Sequence, residues 1–133
     1  MSRCVADTHA IVWYLLDASR LSKPASDAFA GAALSGDPVF VPSISLVELV
    51  YLTERRRLPA EALTRMRRAI DDPSTLLRLA PLDAGVADAI PSVPRDLVPD
   101  MPDRIIAATA ISLKLPLITA DARIRSLAIS TIW

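Results

Sequence analysis

Cys4-Val5-Ala6-Asp7-Thr8-His9-Ala10-Ile11-Val12-Trp13-Tyr14-Leu15-Leu16 opens on three small apolar residues, turns at an acid and runs on with apolar side chains at helical spacing. A short buried strand followed at once by a helix is what that pattern predicts. The unit recurs along the chain. Besides Cys4 to Ala6, the short apolar runs are Val39 to Val41, Leu76 to Leu79, Leu117 to Thr119 and Ile129 to Ile132. Between them Thr8 to Leu16, Pro24 to Leu34, Leu46 to Arg57, Pro59 to Ile70, Asp83 to Ala89 and Asp103 to Leu115 carry the helical period. Strand and helix alternate throughout, which predicts an α/β fold: a three-layer α/β/α domain with a mainly parallel central sheet.

The 11 prolines punctuate this order. Pro24 and Pro59 suit first helical turns, Pro42 ends a strand, and Pro91, Pro94, Pro99 and Pro102 mark residues 91 to 102 as a loop. The 133 residues fit one domain spanning 1–133. A hydrophobic content of 52% with 23% charged residues excludes a disordered tail. No apolar run approaches the roughly 20 residues a membrane span needs. The apolar stretch at Ala10 to Leu16 is too short for a secretory signal, so the chain is expected to be unprocessed, intracellular and cytoplasmic. Cys4 is the single cysteine, which excludes an internal disulfide and a cysteine-rich zinc site. Basic and acidic residues balance at 15 each, so no overall electrostatic footprint of a nucleic-acid binder exists and local clusters must carry that argument. Three glycines leave no Gly-rich phosphate cradle.

Four acids stand out by position. Asp7 follows the first strand, and Asp121 follows Leu117-Ile118-Thr119 in the same way; the carboxyl ends of parallel strands are where such folds build their sites. Asp103 opens a helix rich in small residues. Each of these three has a purely structural alternative as a helix N-cap. Glu48 does not, because it lies inside Ile44-Ser45-Leu46-Val47-Glu48-Leu49-Val50, where a lone carboxylate among apolar neighbours is costly to bury. Its alternative is an exposed position on an amphipathic helix. Parallel strands would bring all four acids to one sheet edge, where they would repel one another until a cation neutralised them. All-oxygen ligation favours Mg²⁺ or Mn²⁺. His9, the single histidine, is expected to pack beside the site rather than to ligate.

The elements Val5-Ala6-Asp7-Thr8-His9-Ala10 with Trp13, Ser43-Ile44-Ser45-Leu46-Val47-Glu48-Leu49, Asp100-Met101-Pro102-Asp103-Arg104-Ile105-Ile106-Ala107-Ala108-Thr109-Ala110, Leu115-Pro116-Leu117-Ile118-Thr119-Ala120-Asp121 and Thr131-Ile132-Trp133 occur in that order. Together they resemble the PIN-domain nucleases, and within them the VapC-type toxins of bacterial toxin–antitoxin pairs. The resemblance runs almost end to end. It implies a metal-dependent ribonuclease whose catalytic pocket is Asp7, Glu48, Asp103 and Asp121, with Asp7 and Asp103 as metal ligands. Thr8 and Thr119 become candidates for hydrogen bonds behind those ligands. Arg104 beside the pocket, the run Arg55-Arg56-Arg57 and the cluster Arg65, Arg67, Arg68 are candidates for meeting RNA, although for any single arginine a solvated helix face is the better account. Many relatives place a His-Arg pair just before the element that begins at Asp100, where this chain has Leu97-Val98-Pro99, and the departure puts local substrate contacts in doubt. The resemblance also implies a homodimer and a cognate antitoxin, and the high apolar content agrees with a helix surface covered by a partner. Two alternatives stay open: a housekeeping RNA-processing nuclease of the same fold, and a catalytically silent module that binds RNA or antitoxin. A phosphatase using an aspartyl nucleophile would need a second Asp two positions after Asp7, where His9 stands.

Overall fold

The structure, a computed structural model, describes residues 2–133. Five strands, β1 (Cys4–Ala6), β2 (Val39–Pro42), β3 (Leu77–Ala80), β4 (Leu117–Ile118) and β5 (Thr131–Ile132), form one sheet in the order β3-β2-β1-β4-β5. Every pairing is parallel, with Val5 facing Phe40 on one side and Leu117 on the other. The helices are α1 (Thr8–Leu16), α2 (Lys23–Ser35), α3 (Ser43–Glu54), α4 (Ala60–Asp71), α5 (Ala84–Ala89), α6 (Met101–Leu113) and α7 (Ala122–Arg125), with 3-10 turns at Ala18–Arg20 and Ile90–Ser92. The three-layer α/β/α architecture with a parallel sheet is the one the sequence predicts.

Strand side chains alternate between faces, so each strand contributes to two cores. Cys4, Ala6, Val39, Val41, Leu77 and Ile118 pack under α1, α2, α3 and α4, against Ile11, Phe29, Leu49 and Met66. Val5 and Leu117 turn to the other face and meet Val86, Ile105, Ile106 and Ile124 of α5, α6 and α7. Side chains such as Val39, Val41 and Ile118, at 0% exposure, contribute roughly 1.5–3 kcal/mol each through burial. No helix among the described residues is long and apolar enough to cross a membrane.

Two helices lie two or three residues from where the sequence predicts them, while the bounds of α2, α4 and α5 differ by one, Pro59 being the N-cap of α4 and not part of its first turn. The helix read as Leu46 to Arg57 is Ser43–Glu54: Pro42 has no N–H to leave unpaired and serves as the N-cap, so the turn tightens at once. Its end is fixed by Arg56, whose backbone is left-handed at φ 56. The helix read as Asp103 to Leu115 is Met101–Leu113, capped by the Asp100 carboxylate, which accepts from the Asp103 N–H at 3.2 Å, with Pro102 in the first turn. Lys114 ends it at φ 57. Asp103 is therefore not the cap, and its carboxylate is left free. β5 is shorter than the run Ile129 to Ile132, and the stretch 91 to 102 is irregular only between the 3-10 turn and Asp100.

Strand order positions the site. From β1 the chain steps outward to β2 and β3, then returns to lay β4 on the opposite side of β1. The helix following β1 covers one face and the helix following β4 the other. At such a switch point the loops diverge and leave a crevice at the carboxyl ends of the two strands.

Candidate active site

Asp7 and Asp121 leave β1 and β4 at this crevice. The Asp7 N–H donates to the Ile118 carbonyl at 3.0 Å, one last rung that sets the carboxylate at the sheet edge. Asp7 is 8% exposed. Its Oδ1 accepts from the Ala10 N–H at 2.9 Å and caps α1, while Oδ2 accepts from the hydroxyl of Thr119, itself 0% exposed. That hydroxyl in turn accepts from the Asp121 N–H at 3.0 Å, so one threonine fixes the acids of both strands. Asp121 caps α7 through Oδ1, accepting from Arg123 N–H at 2.8 Å. The cap reading and the pocket reading hold together for Asp7 and Asp121: capping uses one carboxylate oxygen and leaves further lone pairs toward the cleft.

Glu48 reaches the same cleft from the middle of α3. Thr8 Oγ1 donates to its Oε1 at 2.6 Å and lies 2.9 Å from the buried Ser45 hydroxyl. Thr8 and Thr119 thus each hold one acid by a hydrogen bond, the arrangement expected of residues that aim ligands. Asp103 projects from the first turn of α6. The cleft, of about 560 Å³, is lined by Asp7, Glu48, Asp103 and Asp121, by Asp100, and by Thr8, His9, Trp13 and Arg20 among others.

Electrostatics follow from this crowding. Burial raises the Asp7 carboxyl above its ordinary value, with the Thr119 and Ala10 hydrogen bonds opposing it. Burial also raises Glu48, against the Thr8 hydrogen bond. Asp103 is pushed up to about 7, first by burial and then by the charges of Asp100, Asp121 and Glu48. Asp103 is where the like charges meet.

A hard divalent cation fits this donor set, since all the facing ligands are carboxylate oxygens that repel one another without one. Among the described residues no three acids, histidines or cysteines stand close enough to hold a metal by themselves. The fit is therefore to an ion held by one or two carboxylates that keeps several waters, the mode Mg²⁺ favours.

The sequence reading missed Asp100 and Arg20 as members of the cleft. For Asp100 the signal was present in Asp100-Met101-Pro102, an N-cap followed by a proline in the first helical turn. Arg104 is brought to a different place from the acids. Its guanidinium donates to the Val93 carbonyl at 2.9 Å and the Ile90 carbonyl at 3.2 Å, tying the loop before α6 to the helix. A second, larger cavity of about 640 Å³ lies at the amino ends of β2 and β3, lined by Tyr14, Asp37 and Arg78 among others, and gathers no acid cluster.

Comparison with known proteins agrees with this fold. The PIN domain family model matches residues 4–130. Ribonuclease VapC22 from Mycobacterium tuberculosis (strain ATCC 25618 / H37Rv) is 34% identical over 128 residues, covering 95% of this chain and 92% of the relative. Among solved structures, the DNA-bound VapBC of Salmonella typhimurium superposes with a TM-score of 0.71 at 19% identity, over 98% of this chain and 97% of that one. VapBC2 of Rickettsia felis, bound to a DNA fragment from its promoter, gives 0.68 at 16% identity over 98% and 99%. These two share the fold. With a family model matched almost end to end and a relative at this identity, the chain belongs to the PIN-domain family and, within it, to the VapC group.

Proposed function

We propose that this protein hydrolyses RNA phosphodiester bonds with a divalent cation, Mg²⁺ or Mn²⁺, and serves as the toxin of a toxin–antitoxin pair in the cytoplasm. The observation that carries the proposal is the convergence of Asp7, Glu48, Asp103 and Asp121 on one crevice at the β1/β4 switch point. Asp7 and Asp103 would hold the ion, with Glu48 and Asp121 completing its surroundings. When bound, such an ion supplies activation of water and relief of charge on the phosphate. The chain's own residues do the rest. Thr119 and the α1 backbone fix the orientation of Asp7, Thr8 fixes Glu48, and the buried walls limit the reorientation the carboxylates undergo. Asp103, at about 7, exchanges its proton near neutrality and so is poised to give it up to an arriving positive charge.

A cognate antitoxin and a second copy of the chain are the proposed protein partners. Val47, Val50 and Tyr51, spaced as one stripe on α3 and exposed at 49%, 38% and 56%, support a covered surface of this kind. Incubation of the purified chain with structured RNA in Mn²⁺ tests the enzymatic reading: cleavage should stop with chelator and return when Mn²⁺ is restored. RNA left intact under all three conditions by folded protein sinks it. Co-expression with the product of a small neighbouring reading frame that restores growth separates a toxin from a housekeeping nuclease.

The Thr119 hydroxyl gives a finer test. Thr119→Val keeps the shape but releases Asp7 and Asp121 together, so Mn²⁺ affinity and cleavage should each fall about 10–100-fold, as for other groups that orient ligands. Calorimetric titration with Mn²⁺ beside a cleavage assay checks it; unchanged affinity would show that Thr119 only packs.

A further inference from the structure

Among the described residues the acid cleft is lined by two basic side chains, His9 and a single arginine, and the arginine rests on an aromatic ring. Arg20, on the 3-10 turn after α1, lines the same cleft as Asp7, Glu48, Asp100, Asp103 and Asp121. Among the described residues it has no ion-pair partner, although it shares the cleft with five acids; the pairs that do form are Arg3 with Asp37, Lys23 with Asp27 and Arg67 with Asp71. Its guanidinium lies instead over the Trp13 ring, 4.7 Å from the centroid. Trp13 itself packs against two further rings, His9 with its centroid at 5.8 Å and Trp133 at 5.6 Å, both tilted. The turn at Ala18–Arg20 carries the arginine back over the helix that supplies Trp13, and Ser19 holds the turn by donating to Asp17 Oδ1.

A guanidinium stacked on an aromatic ring keeps its charge and its planar fork of donors while losing much of its freedom to swing. That suits it to bidentate recognition of a phosphate, and it keeps the arginine from collapsing onto the acids as a competing cation. A negatively charged polymer entering an acidic cleft needs some fixed positive charge at the entrance, and Arg104, turned to the Val93 and Ile90 carbonyls, does not provide it.

We propose that Arg20, shelved on Trp13, binds a phosphate of the RNA strand next to the one that is cut, and so sets the register of the strand over the acids. This rests on the ribonuclease reading above. Arg20 is then a substrate-binding residue whose loss appears in affinity and salt dependence more than in the chemical step.

The test measures binding of a labelled single-stranded RNA to the full chain in the Asp103→Asn background, between 50 and 200 mM KCl (about the range over which phosphate contacts change affinity). Arg20→Ala should weaken binding about tenfold and reduce the slope of log K against log salt by about 0.7, the share of one phosphate contact on a single strand. Trp13→Leu should reproduce part of the loss, because the shelf is gone while the charge remains. Lys114→Ala, at the opposite edge of the sheet, serves as the charge-matched comparison. In the chain with Asp103 intact, Arg20→Ala should raise KM more than it lowers kcat. Cleavage by the wild type together with Arg20→Ala binding and slope equal to those of Lys114→Ala overturns the phosphate assignment and leaves the nuclease standing. Folded wild type that neither binds nor cuts RNA overturns both.

Discussion

Asp103→Asn is expected to lower RNA cleavage by about three orders of magnitude while raising the melting temperature of the metal-free protein at pH 8. The first effect follows from removing a carboxylate from the ion's surroundings: several kcal/mol of transition-state stabilisation are at stake, and each 1.36 kcal/mol is about tenfold in rate. The second follows from burial and, after it, the neighbouring acid charges, which together lift Asp103 to about 7 from an ordinary value of 3.8. A carboxyl whose folded value is raised contributes stability that is full below its unfolded value and is lost as pH rises through the folded one. The wild type should therefore lose stability between about pH 4 and pH 8. The variant, neutral at that position, should lose less, because only Asp7 and Glu48 remain raised. Their melting temperatures should meet near pH 4 and separate as pH rises, and Mn²⁺ should stabilise the wild type far more than the variant. Melting curves that stay parallel across this range would show that neither burial nor its neighbours' charges raise Asp103, and unimpaired cleavage would remove it from the site.

Met66→Ala is expected to act in the opposite sense, on stability and not on chemistry. Met66 is at 0% exposure on α4, in the core that also holds Ile11, Leu49 and Leu77, on the sheet face away from α6. Truncating such a side chain costs about 2–5 kcal/mol, a large part of the roughly 5–15 kcal/mol that separates folded from unfolded domains. The urea midpoint should drop with little change in slope. Cleavage per folded molecule should persist at low temperature, since the acids are set by β1, β4, α3 and α6. A midpoint within error of the wild type would mean that the core closes over the gap; loss of cleavage in fully folded protein would mean that α4 supports the site.

The strands and α1 were legible because their patterns are dictated by burial: Val5 and Leu117 face one core, Cys4, Ala6 and Ile118 the other. Helix starts were harder. Pro42 and Pro102 look like terminators in a linear reading, yet both sit where a helix begins, and this moved α3 and α6 by two or three residues. The shift matters for Asp103, which reads as a cap in the sequence and is relieved of capping by Asp100 in the structure. Glu48 was legible from its apolar neighbours. Arg104 was not, because adjacency to Asp103 in sequence says nothing of direction: one step along a helix turns a side chain by about 100°, and here that step carries the guanidinium to the loop. The pairing of Arg20 with Trp13 was hidden for a similar reason, since only the 3-10 turn folds one over the other.

The bond between the Thr119 hydroxyl and Asp7 spans 112 positions of chain. During synthesis, then, Asp7 emerges long before Thr119, and although β2 can already pair with β1, Asp7 lacks its hydroxyl partner until β4 docks. A fragment that stops before β4 would therefore carry Asp7, Glu48 and Asp103 without the hydroxyl that sets the first of them.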